Sequence, residues 1–423
     1  MPSATPCQEK SDKQRVQAES RLLPEGWRWV RLGEVCKVIG GSTPDSANPN
    51  FWDGAVVWVT PTDLGKNHAM VIKSSSRKIT TLGYESCSTE MLPTGTVIMS
   101  SRAPIGHLAI AGVPLCTNQG CKSFIPGPSV NSQFLYWLLK WDLPALRKLG
   151  SGATFAEVSK SQLEQVRVVL PPLPEQKRLA ALLNNRLATV ERARIALQTQ
   201  FNAAKALPAA FLRQAFPKPG EELGSAWSWV RLADKVEFLT AKSIASAGDT
   251  TVRAITTACL SECGFDAAGI KTASMWSHDI SFCRCVSGEI LVARSNTPDL
   301  VGRASIYLGY PEDIVATDLT IRIRTHDGYD PMFLSGFLSS LFVRGFWKQN
   351  SGGASGSMKK IGRKQVGCLS IPLPPLSEQK RLAARLNEQI AAAAKLRKSL
   401  EAQLAEIEAF PVALLRKAFG GGL

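Results

Sequence analysis

Ten cysteines and four histidines are the residues of this 423-residue chain best suited to metal or redox chemistry. Their spacing does not support it. Cys116 and Cys121, Cys259 and Cys263, and Cys283 and Cys285 stand five, four and two residues apart, so none makes a CxxC pair. His68, His107, His278 and His326 form no HxxxH or HExxH set. Small, buried, reduced thiols are the expected role, with no metal site. The carboxylate pairs Glu221-Glu222 and Glu312-Asp313 lie beside Pro or Gly in polar stretches and read as solvated surface. No GxxxxGK[ST] loop offers a phosphate cradle, and no GxGxxG follows a strand. The glycine cluster Ser351–Ser357 (SGGASGS) reads as a flexible turn. A [DN]PP[YF] segment, which would hold the exocyclic nitrogen of a target base, is absent. No catalytic residue is assigned.

Charge points to a different chemistry. Fifty Lys and Arg against thirty-five Asp and Glu leave a net +15, which favours an anionic partner, nucleic acid before membrane. No apolar run approaches the roughly 18–20 residues of a membrane span. Residues 1–20 are polar and charge-balanced, unlike a secretory signal, so a cytoplasmic location is expected. The length suits two domains with connecting elements.

The elements that must position any site come in duplicate. Pro171–Asn184 (PPLPEQKRLAALLN) and Pro374–Asn387 (PPLSEQKRLAARLN) agree at twelve of fourteen positions at a shift of 203. The same shift aligns Ala206–Phe216 with Ala409–Phe419, and a shift of 200 aligns Trp27, Trp29, Val30, Arg31 and Leu32 with Trp227, Trp229, Val230, Arg231 and Leu232. The chain is two copies of one unit. Each copy opens on tryptophans that read as core packing. It continues through short β-branched runs such as Ala55–Thr60, Gly95–Met99, Ile290–Ala293 and Leu319–Arg324, interspersed with helical patterns at Ser132–Lys148 and Pro331–Lys348. A Pro-rich hinge then leads into a long helix.

Those closing helices carry a narrow apolar seam. Leu183, Leu187, Val190, Arg194, Leu197, Phe201 and Ala204 recur at alternating steps of four and three, and Leu386, Ile390, Ala393, Arg397, Leu400, Leu404 and Ile407 repeat the series. Pro174 suits the first turn, Ser377 suits a cap, and Pro208 and Pro411 should kink the helices near their ends. A lone seam must be buried, and the other copy's seam is the natural partner. Units related by a rough two-fold axis would pair the helices antiparallel.

Two variable α/β regions, each followed by a PLPP[LP]-x-EQK helix, resemble the specificity subunit of a type I restriction-modification system. Met99–Ile110 (MSSRAPIGHLAI), Cys116–Phe124 (CTNQGCKSF), Gly288–Ala304 (GEILVARSNTPDLVGRA), Gly26–Gly33 and Trp58–Leu64 are similar to further stretches of that family. The resemblance covers Leu22 to Phe419. It implies a mixed α/β (α+β) fold with two target recognition domains, residues 21–173 and 217–376. Two antiparallel coiled-coil helices, 174–216 and 377–419, separate them, with tails at 1–20 (disordered) and 420–423. It also implies a non-catalytic reader of double-stranded DNA, each domain taking one half of an asymmetric, bipartite target. The helices would set the spacing and dock two methyltransferase subunits, to which restriction/translocase subunits can be added. Cofactors would belong to those partners, S-adenosylmethionine for methylation and ATP with Mg for restriction. A helix of about 40 residues spans about 60 Å, enough for half-sites about 34–36 Å apart.

Base reading needs forked donors or amides beside hydroxyls that anchor the backbone. The candidates are Ser42, Thr43, Arg102, Asn118, Gln119, Thr154 and Lys160 in the first copy. In the second they are Lys242, Arg294, Ser295, Asn296, Arg303, Lys359 and Lys360. The proposed pairing residues are Leu183, Leu187, Val190, Leu197, Phe201, Leu386, Ile390, Leu400, Leu404 and Ile407. Residues 21–173 carry +5 and 217–376 carry +2, so each globular region is only mildly basic. Two other classes compete: a coiled-coil scaffold that does not bind DNA, which the SSRAPIG-like segments disfavour, and a fused methyltransferase, which the missing cofactor loops disfavour.

Overall fold

The computed structural model describes residues 23–102, 104–150, 157–355 and 358–420; the expected tail at 1–20 lies outside them. The chain forms two compact units. One comprises the residues up to Arg194 together with those from Ala405, and the other is Ile195–Leu404.

In the first unit a five-stranded sheet runs in the order Cys36–Gly40, Cys121–Pro126, Val97–Ser100, Leu108–Ala111 and Val71–Ile72. Its pairings are antiparallel except the last. Alternate side chains face opposite ways along a strand, and this sheet is covered on both sides. Val38, Val97, Met99 and Phe124 join the core beneath the helix Ser132–Lys148, while Ile39, Ile98 and Ala109 meet Val59 and Leu64 on the other face. Double coverage explains why these strands read as unbroken apolar runs.

The second unit repeats this plan with four antiparallel strands, Val236–Leu239, Thr320–Thr325, Ile290–Ala293 and Ala304–Ile306. Ile290, Val292, Ile321 and Ile323 pack beneath the helix Pro331–Val343. Leu291 and Ala293 face Ile255, Leu260 and Tyr307. The expected helix Pro331–Lys348 is broken after Val343, because Gly345 takes a left-handed conformation (φ +77°) and a new short helix starts at Phe346. The glycine cluster read as a turn departs further: Gly352–Ser355 is a strand paired with Met358–Lys360. Backbone pairing there does not depend on the side chains that glycine lacks.

Each repeat is closed by its own ends. The Trp-containing strand Arg28–Arg31 pairs antiparallel with Arg167–Leu170, just before the Pro hinge, and Ser228–Arg231 pairs in the same way with Ser370–Leu373. Trp27, Trp29, Trp227 and Trp229 all pack against their unit's core.

The EQK motif then fixes the direction of each long helix. Gln176 is fully buried. Its Oε1 accepts from the Asn131 N–H at 2.8 Å, and its Nε2 donates to the Ser129 and Pro171 carbonyls at 2.9 Å each. Asn131 is itself the N-cap of the helix Ser132–Lys148. Gln379 repeats the clamp. It accepts from the N–H of Asp330, the N-cap of Pro331–Val343, at 2.8 Å and donates to the Pro374 and Gly328 carbonyls at 2.9 and 3.3 Å. One buried amide therefore joins the hinge, the cap of the core helix and the first turn of the long helix.

The long helices are Leu173–Ala215 and Leu376–Phe419. The second begins before Ser377, which therefore sits in the first turn rather than at the cap. Both helices continue through Pro208 and Pro411. In the first unit Leu179, Ala180, Leu183 and Leu187 join Leu414, Leu415, Ala418 and Phe419 in one core; Phe419 lies 5.6 Å from the Phe134 ring and 6.4 Å from Trp141. In the second, Leu212 and Phe216 join Ala383, Leu386 and Ile390, with Phe216 5.2 Å from Phe333. The start of one helix thus meets the end of the other, and they run antiparallel. Leu183, Leu386 and Leu400 are buried, while Leu187, Val190, Leu197, Phe201, Ile390, Leu404 and Ile407 are half-buried. The two seam arginines differ: Arg194 is half-buried and paired with Glu191 at 2.8 Å, whereas Arg397 is exposed.

Two outcomes follow from the clamp and the shared core. Gln176→Ala leaves one N–H and two carbonyls unpaired and should lower the stability of the first unit by about 2–4 kcal/mol. Hydrogen exchange would register this as lost protection at residues 131–135 with residues 330–335 unchanged. Phe419→Ala, at the end of the chain, should cost the same first unit about 3 kcal/mol in denaturant titration. Destabilisation confined to the second unit would contradict the packing.

Candidate nucleic-acid interface

In the first unit, three segments meet where the central strand Val97–Ser100 ends. The Ser101 N–H donates to the Gly120 carbonyl at 2.8 Å, and its carbonyl accepts from Val158 at 3.0 Å. The Ser42 N–H reaches the Thr117 carbonyl at 3.0 Å, and the Asn118 N–H reaches Val59 at 3.0 Å. Gly41 permits this approach, since a Cβ there would lie 2.2 Å from the Thr117 and Asn118 carbonyl oxygens. Thr43 Oγ1 donates to Gln119 Oε1, and Asn118 Oδ1 accepts from the Gly120 N–H at 3.0 Å. Ser42, Thr43, Arg102, Asn118 and Gln119 are therefore brought together.

The charges at this corner are linked. Buried Lys122 reaches Glu157 Oε1 at 3.0 Å and also Ser101 Oγ and the Gln119 carbonyl, both at 3.3 Å. The other oxygen of Glu157 lies 3.8 Å from the Arg102 guanidinium, whose side chain stays 36% exposed. Lys160 is bound elsewhere: it faces Glu164 at 3.7 Å on the short helix Lys160–Glu164. Thr154 lies outside the described residues.

The second unit builds the same corner from different side chains. The Arg294 N–H donates to Leu319 at 2.8 Å, and its carbonyl accepts from Ile361 at 2.9 Å. Position for position, Arg294 matches Ser101, not Arg102, so the two arginines stand one residue apart in the shared framework. Ser295 and Asn296 pair with Lys360 and Lys359. Lys242 bridges Thr317, its carbonyl accepts from Asp318 at 3.0 Å, and its ammonium faces Asp279 at 3.4 Å. Asn296 donates to Thr257 Oγ1 at 2.8 Å. Lys242, Arg294, Ser295, Asn296, Lys359 and Lys360 thus gather, and Arg363 and Lys364 follow on the next turn. The Arg294 guanidinium donates to the Asp318 carbonyl at 3.3 Å, and among the described residues no carboxylate lies within ion-pair reach of Arg294, Lys359 or Lys360. Arg303 is placed apart: it sits over the Phe342 ring at 5.3 Å, with Glu262 at 4.0 Å and the Leu260 carbonyl at 3.5 Å.

The strand that leads to Arg294 starts at a buried ion pair that residue spacing did not reveal. Glu289 is fully buried and holds Arg322 through contacts of 2.8–3.0 Å, with Arg324 at 3.0 Å. Arg322 also donates to the carbonyls of Thr240, Phe282 and Arg284, so its donors are satisfied and four segments are tied together. The sign available in the sequence was Glu289 itself, a carboxylate directly before the apolar strand Ile290–Ala293.

Other motif residues prove to be scaffolding. Asp63 of WVTPTDL is buried and accepts from the Thr60 N–H and Oγ1 at 2.9 and 2.6 Å, and from the Ser76 N–H and Oγ at 2.8 and 2.5 Å. It completes the capping box of the helix Pro61–Lys66. Cys36, Cys116, Cys121, Cys259, Cys283 and Cys285 are buried as expected of small apolar thiols, and burial pushes the Cys116 and Cys285 thiols up to about 12. Cys263 and Cys368 depart from that expectation, being exposed. Among the described residues no three His, Cys, Asp or Glu side chains gather as metal ligands, and no helix is long and apolar enough to cross a membrane.

Fold and site together define a duplicated α/β protein in which each repeat carries a polar, cationic loop corner and is joined to the other by long helices. Residues 24–199 match the model of the type I restriction modification DNA specificity domain. It is 37% identical over 164 residues to the type I restriction enzyme MjaIX specificity subunit of Methanocaldococcus jannaschii, 38% of each chain. It is 21% identical over 434 residues to the EcoDI specificity subunit of Escherichia coli, covering 95% of this chain and 89% of that one. The chain spans about two-fifths of the length of several curated relatives, MjaIX and EcoR124I/EcoR124II among them. Its fold is that of the HsdS subunit from Thermoanaerobacter tengcongensis, with a TM-score of 0.65 at 23% identity over 96% of this chain and 99% of that one. A chain from a structure of a type I R-M system, solved to explain complex assembly and conformational transition, gives 0.72 at 23% identity over 95% and 100%.

The Asp63 network has a pH signature. Burial pushes this carboxyl up, but the hydrogen bonds from Ser76 and Thr60 together outweigh it and hold the group below the usual carboxylate range. A carboxyl depressed by folding contributes stability that is full above its unfolded value, about 3.9, and is lost as pH falls through the lower folded value. Asp63→Asn should be less stable than the parent at pH 7, and the gap should narrow as pH falls below about 4. Thermal melts between pH 3 and 7 would show it; a gap independent of pH would assign the loss to packing.

Proposed function

We propose that this chain is the DNA-reading subunit of a type I restriction-modification complex. Each repeat would take one half of an asymmetric, bipartite target, and the long helices would set the spacing and dock two methyltransferase subunits. One observation carries the reading. The same backbone corner is built twice, lined by forked donors and amides in one repeat, and in the other by cations of which Arg294, Lys359 and Lys360 have no carboxylate partner among the described residues. Arginine and amide groups recognise base edges, and lysines neutralise phosphate. Because the side chains differ on a shared framework, the two half-sites should differ. S-adenosylmethionine, and ATP with Mg for any restriction subunit, would be used by the partners in the cytoplasm, and this chain would itself transform nothing.

The exchange of residues 22–170 for the equivalent region of a relative tests the modular part. Expressed with its methyltransferase in a host whose genome is then sequenced for methylated adenine, the hybrid should change one half of the motif and keep the other. A change in both halves would show one continuous reading surface. Loss of all sequence-dependent methylation with the complex intact would favour a scaffold without DNA contact. The purified chain should transfer no methyl group from S-adenosylmethionine, and turnover by it alone would end the non-catalytic reading.

A further inference from the structure

The two corners differ in one respect that their shared framework does not require. In the first, a single carboxylate, Glu157, spans two cations: Lys122, nine-tenths buried, at 3.0 Å, and Arg102, partly exposed, at 3.8 Å. Lys122 is also tied to Ser101 Oγ and the Gln119 carbonyl, so Glu157 is anchored through it to the loops that form the corner. In the second, Arg294, Lys359 and Lys360 have no carboxylate partner among the described residues. A free guanidinium beside DNA is drawn to the nearest phosphate, which is everywhere and sequence-blind. One held by a carboxylate on one edge keeps its other donors aimed in a fixed direction and gains less from a phosphate.

We infer that Glu157 is a positioning residue for the first half-site, holding Arg102 for a base edge and away from the phosphates. Its counterpart corner is left open, so the second repeat supplies more of the phosphate affinity and the first more of the discrimination at its arginine. This rests on the DNA-reading function proposed above. Glu157 touches no base itself and acts through Arg102.

The test uses the complex of the chain with its methyltransferase. The probes are duplexes bearing the methylated motif, with single base-pair changes in either half, titrated from 50 to 200 mM salt. Glu157→Gln should reduce discrimination at one base pair of the first half-site by about 5- to 150-fold, the range of one bidentate contact. It should also steepen the salt dependence on non-target DNA by about one phosphate contact. Discrimination at the other base pairs of the first half-site and throughout the second should be unchanged, the former being the check on folding. Because Glu157→Gln leaves buried Lys122 without its partner, Glu157→Gln/Lys122→Met provides a second variant with the same two expectations. Arg102→Lys should lose the same discrimination without the steeper salt slope. Unaltered discrimination and slope in both Glu157 variants would overturn the positioning role alone. A parent complex that prefers no sequence would overturn the DNA-reading function and the positioning role with it.

Discussion

The buried glutamine amide at the start of each long helix is the constraint on which the rest of this structure depends. A helix that leaves a domain through a proline hinge has no intrinsic direction, since its first-turn N–H groups lack partners and its exposed face packs on nothing. Gln176 and Gln379 remove that freedom. Each turns one side chain inward and satisfies three backbone groups that would otherwise be buried unpaired. Because the amide binds the N-cap of the core helix, the long helix, the hinge and the core helix hold one geometry. The closing strand pair reinforces it, and the loop corner is built on the same core.

On that common base, the repeats diverge where the loops meet. Net charge is a poor guide to the difference. The first globular region is more basic as a whole, +5 against +2, yet its corner spends one carboxylate on two cations. The second region is nearly neutral but concentrates Arg294, Lys359, Lys360, Arg363 and Lys364 on two neighbouring segments. Within its sheet, Glu289 and Arg322 neutralise each other out of water. Such a pair adds little net stability but is costly to break. It fixes the strand whose end leads into the corner.

Much of this architecture is legible in the order of the residues. The duplication, the long helices and the strands are carried by patterns of local origin: a repeated motif, a four-three seam, and apolar runs. Sequence also picks out the polar residues after the apolar strands, and the fold gathers most of them at one corner in each repeat. What stays hidden depends on contacts distant in the chain. Arg303 looks like Arg294 in sequence, yet stacks on Phe342. Lys160 looks like a reader and pairs with Glu164 one turn on. Arg102 and Arg294 look equivalent, but strand pairing sets them one residue apart. Glu157 and Glu289 matter through partners 35 and 33 residues away, at separations no periodicity marks. The glutamine of EQK is visible as part of a repeat, while its clamp becomes visible only with Asn131 and Asp330 beside it.

The packing of Phe419 against Phe134 and Trp141 also bears on how the protein is made. The ribosome delivers the first repeat before the second, but the hydrophobic cluster of the first includes Leu414, Leu415, Ala418 and Phe419, which leave the tunnel only after the second repeat. The second repeat takes its own share of helix, Leu212 and Phe216, from chain that precedes it. At about 5–20 residues per second, the remaining two hundred or so residues take roughly 10–40 s to arrive. For that interval the first repeat has an open apolar face waiting for Leu414, Leu415, Ala418 and Phe419. The order of synthesis is thus the reverse of the order of completion, and a ribosome that stalls late leaves the earlier domain unfinished.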